Sequence, residues 1–137
     1  RTGMTPARIR YAFDERWSPA LKPDGHVQVS SFFLENYHRL QPYALTHGEA
    51  MFVIHLMQHK WGASAPFPSY RTLAHRMGVS VKTTRRFAAS LQQKKYLHRE
   101  IRIGATNLFY LDKLIAALVA LKNGGTTPPK RKPAKRR

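Results

Sequence analysis

The sequence predicts a mainly helical α+β domain with a small β-hairpin. Three observations lead there. Helical periodicity recurs over Thr46–Trp61, Ser69–Met77 and Ser80–Lys94, and each stretch opens on a hydroxyl residue suited to capping a helix. Apolar alternation in the second half of the chain is confined to Leu97–Ile103 and its return over Leu108–Leu111, which flank a Gly104–Asn107 turn. An apolar content of 42% over 137 residues is enough for one modest core.

The elements follow in order. Residues 1–25 mix Pro6, Pro19 and Pro23 with charges, have no clear period, and read as an N-terminal arm. Its aromatics Tyr11, Phe13 and Trp17 are candidates to pack on the domain or on a partner. His26-Val27-Gln28-Val29-Ser30 alternates, which predicts a short edge strand. Ser31 is placed to cap a helix over Phe32–Leu40 that Pro42 stops. Thr46 and Glu49 have capping-box spacing. The helix they open carries Met51, Phe52, Val53, Ile54, Leu56 and Met57, is apolar on most faces, and is expected to be the buried central helix. A loop over Gly62–Pro68 leads to Ser69, which caps the next helix.

That helix puts Tyr70, Leu73, Ala74 and Met77 on one face, and Gly78 suits the left-handed residue that ends it. Ser80 caps a second, basic helix, with Thr84, Phe87, Ala88 and Leu91 facing the core. In the hairpin, Leu97, Arg99, Ile101 and Ile103 alternate with His98, Glu100 and Arg102. Asp112 caps a last helix, Lys113–Lys122, in which all eight residues Leu114–Leu121 are apolar or Ala. One core covers only one side of it. The other side calls for the arm, a further domain or a second copy. The tail, 123–137, holds two glycines, three prolines and six basic residues with no acid, a composition that predicts disorder. The expected division is an arm over 1–25, a folded domain over 26–111, a C-terminal helix over 112–122 and a basic tail over 123–137.

Helix, tight turn, basic helix and hairpin is the order of a winged helix-turn-helix. Val27–Leu111 resembles the winged-helix DNA-binding domains of plasmid and phage replication initiators and related bacterial regulators. The matching pieces are Val27-Gln28-Val29, Leu45-Thr46, Pro68-Ser69, Leu73-Ala74, Met77-Gly78-Val79-Ser80, Thr83 and Asn107-Leu108-Phe109-Tyr110-Leu111. The sequence departs from the family at Lys95-Tyr96-Leu97, where a Gly often precedes the wing strand, so a different turn into the wing is expected. The resemblance implies sequence-preferring binding of double-stranded DNA, with a recognition helix over about 81–94 in the major groove. It further implies a role in replication initiation or transcriptional regulation.

Charge is in keeping with this. Twenty-four Lys and Arg stand against seven Asp and Glu, a net +17. Such a chain repels itself unless an anion belongs to its working state. Nucleic acid is the first candidate and an anionic membrane surface the second, and composition does not separate DNA from RNA. There is no cysteine, which excludes disulfides, Cys-based zinc sites and Cys nucleophiles, and suits a reducing compartment. No apolar run approaches the roughly 18–20 residues of a membrane span, and no signal peptide is evident. Arg1-Thr2-Gly3 reads as a cleaved-tag remnant or as the edge of a longer protein with a further domain. The expected location is the cytoplasm, at a bacterial nucleoid, or the nucleus in a eukaryote.

On the basic helix, Lys82, Arg86, Ala89 and Gln93 lie opposite the core face, with Arg85 on the shoulder. Arg and Gln supply the donors that reach base edges, and Ala89 at mid-face lets the helix approach the groove floor. Ser80 and Thr83 stand at the helix start, where hydroxyls and amides can hold a phosphate. Arg71 and His75 on the preceding helix, and Arg99, Arg102 and Asn107 in the wing, are candidate backbone or minor-groove contacts. Lys130, Arg131 and Lys132 in the tail suit a DNA arm, a linker or a nuclear localisation signal. A solvated basic face is the plain alternative for each.

His55 and His59 stand four apart, as zinc ligands can, but no third ligand and no general-base Glu lies between or beside them. A structural role is expected, with no metal and no cofactor. The seven acids are dispersed and no phosphate loop or nucleophile elbow is present, so no enzyme is expected. Two other readings stay open: an RNA-binding or ribosome-associated protein, and a winged-helix protein-interaction module. A homodimer through the C-terminal helix is expected, because two reading helices then meet two half-sites.

Overall fold

A computed structural model describes residues 13–59, 66 and 68–124. Its helices are α1 (Ser31–Asn36), α2 (His47–Gln58), α3 (Tyr70–Met77), α4 (Val81–Gln93) and α5 (Asp112–Gly124). Strands β1 (His98–Glu100) and β2 (Leu108–Tyr110) lie between α4 and α5 and pair antiparallel, with Arg99 opposite Phe109. The fold is a winged helix-turn-helix.

The starts of α2, α3 and α4 have the local reason expected of them, whereas Asp112, expected to cap the last helix, is the first residue inside it. Thr46 Oγ1 accepts from Glu49 N–H at 3.2 Å while Glu49 Oε1 accepts from Thr46 N–H at 2.8 Å, a complete capping box on α2. Ser69 and Ser80 accept from Thr72 and Thr83 N–H, each at 3.0 Å, and open α3 and α4. Gly78 ends α3 with φ +71°, and its amide and that of Val79 return to the His75 and Ala74 carbonyls. This pair of bonds needs a left-handed residue, which Gly adopts without a Cβ clash.

The core lies where α2, α3 and α4 meet and is closed by the hairpin and α5. Phe52, Leu56, Leu73, Thr84, Ala88, Leu91, Phe109 and Leu114 are almost fully buried. Thr84 is tolerated there because its hydroxyl donates to the Ser80 carbonyl at 3.0 Å. The Phe52 ring meets Phe109 edge-on at 6.5 Å, joining the central helix to the wing.

Several boundaries differ from the sequence expectation. Residues 26–30 form no strand. Val27 and Val29 are half-buried and Gln28 and Ser30 exposed, so the alternation reports one-sided burial without a ladder. On the hairpin the Phe109 N–H goes instead to the Pro66 carbonyl at 3.0 Å. Helix α1 is capped by Ser30 rather than Ser31 and passes into a 3-10 turn over Tyr37–Arg39. Met51 on α2 is half exposed, so the central helix is buried on fewer faces than expected. The β1 ladder ends at Glu100, which leaves Ile101 and Ile103 out of the core.

The arm and the last helix differ too. Residues 13–16 are helical and Pro19–Asp24 form a 3-10 helix, so the later part of the expected arm is structured. Asp14 pairs with Lys22 at 3.5 Å and the Phe13 ring meets His26 at 5.2 Å. Trp17 is exposed. Helix α5 runs two residues past Lys122, through Asn123 and Gly124. Tyr11, most of the 62–68 loop and the tail from residue 125 lie outside the described residues.

Candidate functional site

The candidate site is the outer face of α4. Thr84, Ala88 and Leu91 are drawn into the core, which turns Lys82, Arg86, Ala89 and Gln93 to the surface, as the periodicity requires. Lys82 and Arg86 form no ion pair among the described residues, and three of the acids are engaged elsewhere. Glu49 pairs with Lys94, Asp14 with Lys22, and Glu100 accepts from the Tyr110 hydroxyl at 2.9 Å. The α4 face thus keeps its positive potential.

Tyr70, at the start of α3, organises the flank of this face. Arg85 of α4 lies over its ring, 5.5 Å from the centroid. Arg99 of β1 donates to its hydroxyl at 2.9 Å, and Phe109 packs edge-on against it at 5.8 Å. One aromatic ring therefore positions two of the candidate arginines. Periodicity puts Tyr70 on the core face of α3, and the sequence carries no sign of this bridge, because the partners are 15 and 29 residues away.

Ser69, Tyr70 and Arg71 of the α3 start, Val81 and Arg85 of α4 and Ala105–Asn107 of the wing line a cleft of about 320 Å³. Arg71, Arg85 and Asn107 thus share one surface next to the α4 face. His75 is exposed on α3 but does not line the cleft. The Ser80 hydroxyl donates to Thr83 Oγ1 at 3.0 Å while accepting from the Thr83 amide, so this pair is engaged in capping. Arg99 is half-buried under the wing. Arg102 donates through Nε to the Thr106 carbonyl at 2.7 Å and holds the wing loop. Arg99 thus ties the hairpin to α3 and Arg102 braces the wing loop, roles that residue type and position did not reveal. Lys130, Arg131 and Lys132 lie outside the described residues.

His55 stands on α2 and His59 at its C-terminal cap, both beside Arg76. Burial, and then the Arg76 charge, hold both imidazoles below their ordinary pKa. Among the described residues no group of three or more His, Cys, Asp or Glu is arranged to hold a metal ion. No helix among them is long and apolar enough to cross a membrane.

Residues 43–97 match a family described as a helix-turn-helix domain. The match runs from before α2 to the residue before β1, and the wing and α5 lie beyond it. No curated protein sequence matches the chain. A helix-turn-helix domain in this position suggests DNA as the partner.

Proposed function

From a helix-turn-helix domain over residues 43–97, we propose that this protein binds double-stranded DNA with sequence preference, reading the major groove with α4. The observation that carries this reading is the α4 face. Lys82, Arg86 and Gln93 surround the small Ala89 on an exposed surface opposite a fully buried stripe. Arg71, Arg85 and Asn107 around the neighbouring cleft supply donors for the phosphate backbone. The net charge of +17 supports a polyanionic partner, and the tail lysines and arginines would add sequence-independent attraction.

The biological setting we infer is replication initiation or transcriptional control in a bacterial cytoplasm, in line with the initiator-like motifs. A second copy paired through α5 would present two reading helices to a roughly palindromic site. This is supported by Ile115 and Val119, which stay exposed and line an apolar groove formed with α1 and α2. RNA recognition is less favoured. It calls for exposed stacking aromatics, and no aromatic side chain lies on the α4 face.

Site selection from a randomised duplex library, followed by titration of Lys82→Ala and Arg86→Ala, tests the reading. Each variant should lose about 1–3 kcal/mol of specific binding with an unchanged melting temperature. Wild-type affinity in both would remove α4 as the reading face.

A further inference from the structure

The wing carries an apolar feature that folding does not use. The β1–β2 ladder stops at Glu100 and Leu108, and residues 101–107 project beyond it. Within them Ile103 is completely exposed, at 102%, and Ile101 is 69% exposed. A fully hydrated isoleucine gives nothing to the stability of the isolated chain. It is nevertheless held in a defined place. Arg102, between the two isoleucines, is tied to the Thr106 carbonyl across the loop. Gly104, directly after Ile103, takes φ +76° and turns the chain back. Gly104 and Ala105 have the smallest side chains available, which keeps the tip narrow.

The tip's position says what it meets. Ala105, Thr106 and Asn107 line the same cleft as Arg71 and Arg85, so the wing stands next to the start of α4 across a basic surface. If α4 occupies a major groove, this basic surface is placed to meet a phosphate strand, and the tip that projects beyond the ladder is placed toward the adjacent minor groove. That groove is about 6 Å wide and admits only a slender element. Apolar side chains that enter a minor groove wedge between base steps, unstack them and bend the duplex toward the major groove.

We propose that Ile103, supported by Ile101, is a minor-groove wedge that bends the bound DNA. The inference rests on the DNA-binding reading above, but assigns contact and bending to an apolar residue in place of the wing arginines, of which Arg99 is bonded to Tyr70 of α3 and Arg102 to the Thr106 carbonyl.

The experiment uses the full chain and the duplexes that wild type selects from a randomised library, carrying a dye pair at their ends. Binding is read by anisotropy and bending by energy transfer, for wild type, Ile103→Ala and Arg86→Ala. Wild type should bring the DNA ends closer. Ile103→Ala should lose most of that change and roughly tenfold in affinity, from the apolar surface left in water. Its melting temperature should be unchanged, because the side chain makes no fold contact. Arg86→Ala should bind more weakly but bend the DNA fully at saturation. Equal bending by wild type and Ile103→Ala at saturation overturns the wedge, and does so while leaving the DNA-binding reading intact. A wild type that selects no duplex overturns both.

Discussion

Glu49 does more than the capping box asks of it. Its carboxylate is 3% exposed and sits 2.6 Å from Lys94 Nζ, while the Ser90 hydroxyl donates to its other oxygen. Burial alone would raise its pKa, but the Lys94 and Ser90 hydrogen bonds and the Thr46 amide outweigh it and hold the carboxyl below its ordinary 4.5. A lowered acid stabilises the fold above its unfolded pKa, and that contribution disappears as pH falls through the folded value. The neutral histidines act in the same direction. With His55 and His59 below their ordinary 6.5, the unfolded chain takes up protons first and stability falls from about that pH downward. Urea melts across pH should therefore show stability falling in two stages on acidification, below about 6.5 and again below about 4.5. Lys94→Met should cost about 3–5 kcal/mol at neutral pH, because it strands a buried carboxylate. Adding Glu49→Gln should restore part of the loss, since Gln also completes a capping box. An additive double variant would show that the pair is not coupled.

The two helices of the motif end in the same way on different residues. At the end of α3, Gly78 is left-handed and the Val79 amide reaches back to Ala74. At the end of α4, Lys95 takes φ +72°, its amide bonds to the Gln92 carbonyl, and the Tyr96 amide reaches the Leu91 carbonyl at 3.0 Å. The departure from the initiator-like pattern at Lys95 thus changes the residue but keeps the left-handed geometry. Burial explains why. Tyr96 and Leu97 must enter the core immediately after the helix, and the Tyr96 hydroxyl bonds to the Tyr43 backbone there. A left-handed Lys carries about 1–2 kcal/mol of local cost, partly matched by the greater chain entropy of an unfolded Gly. Lys95→Gly is expected to stabilise the protein by about 0.5–1 kcal/mol in denaturant melts, while Lys95→Ala should not. A destabilised Gly variant would mean that the Lys side chain makes up for the strain.

Helix α5 joins the core on one side only. Leu114 is buried and Ala117, Leu118 and Leu121 pack against the core, while Lys122 lies over the Phe32 ring at 5.4 Å. Ile115 and Val119 are partly exposed and, with Val29, Phe33, Ile54 and Met57 among others, line a groove of about 750 Å³. An exposed apolar surface of this kind can meet its own copy across a two-fold axis, as in an isologous dimer. Light scattering at micromolar concentration should give twice the chain mass for wild type and the monomer mass for Val119→Glu. Val119 is half exposed, so the charge should not disturb the monomer's fold. A monomeric wild type would exclude a dimer formed before DNA binding.

Features that depend on neighbours in the chain were legible in the residues. The Thr46–Glu49 box, the Ser69 and Ser80 caps, the left-handed Gly78 and the buried stripe of α4 all act within one or two helical turns. Residue type and spacing therefore specify them, and with them the basic face of α4. Features that depend on contacts between distant segments were not legible. Val27 and Val29 alternate as a strand does, but a strand exists only if another backbone completes its ladder, and none does so here among the described residues. Ile101 and Ile103 continue the period of Leu97 and Arg99, yet the pairing ends first and leaves them in water. Arg99 and Lys94 look like any surface cations until folding brings Tyr70 and Glu49 within hydrogen-bonding distance. Local geometry is set by the steric and hydrogen-bonding preferences of each short segment, whereas pairing and charge neutralisation require surfaces that exist only once the chain has closed on itself.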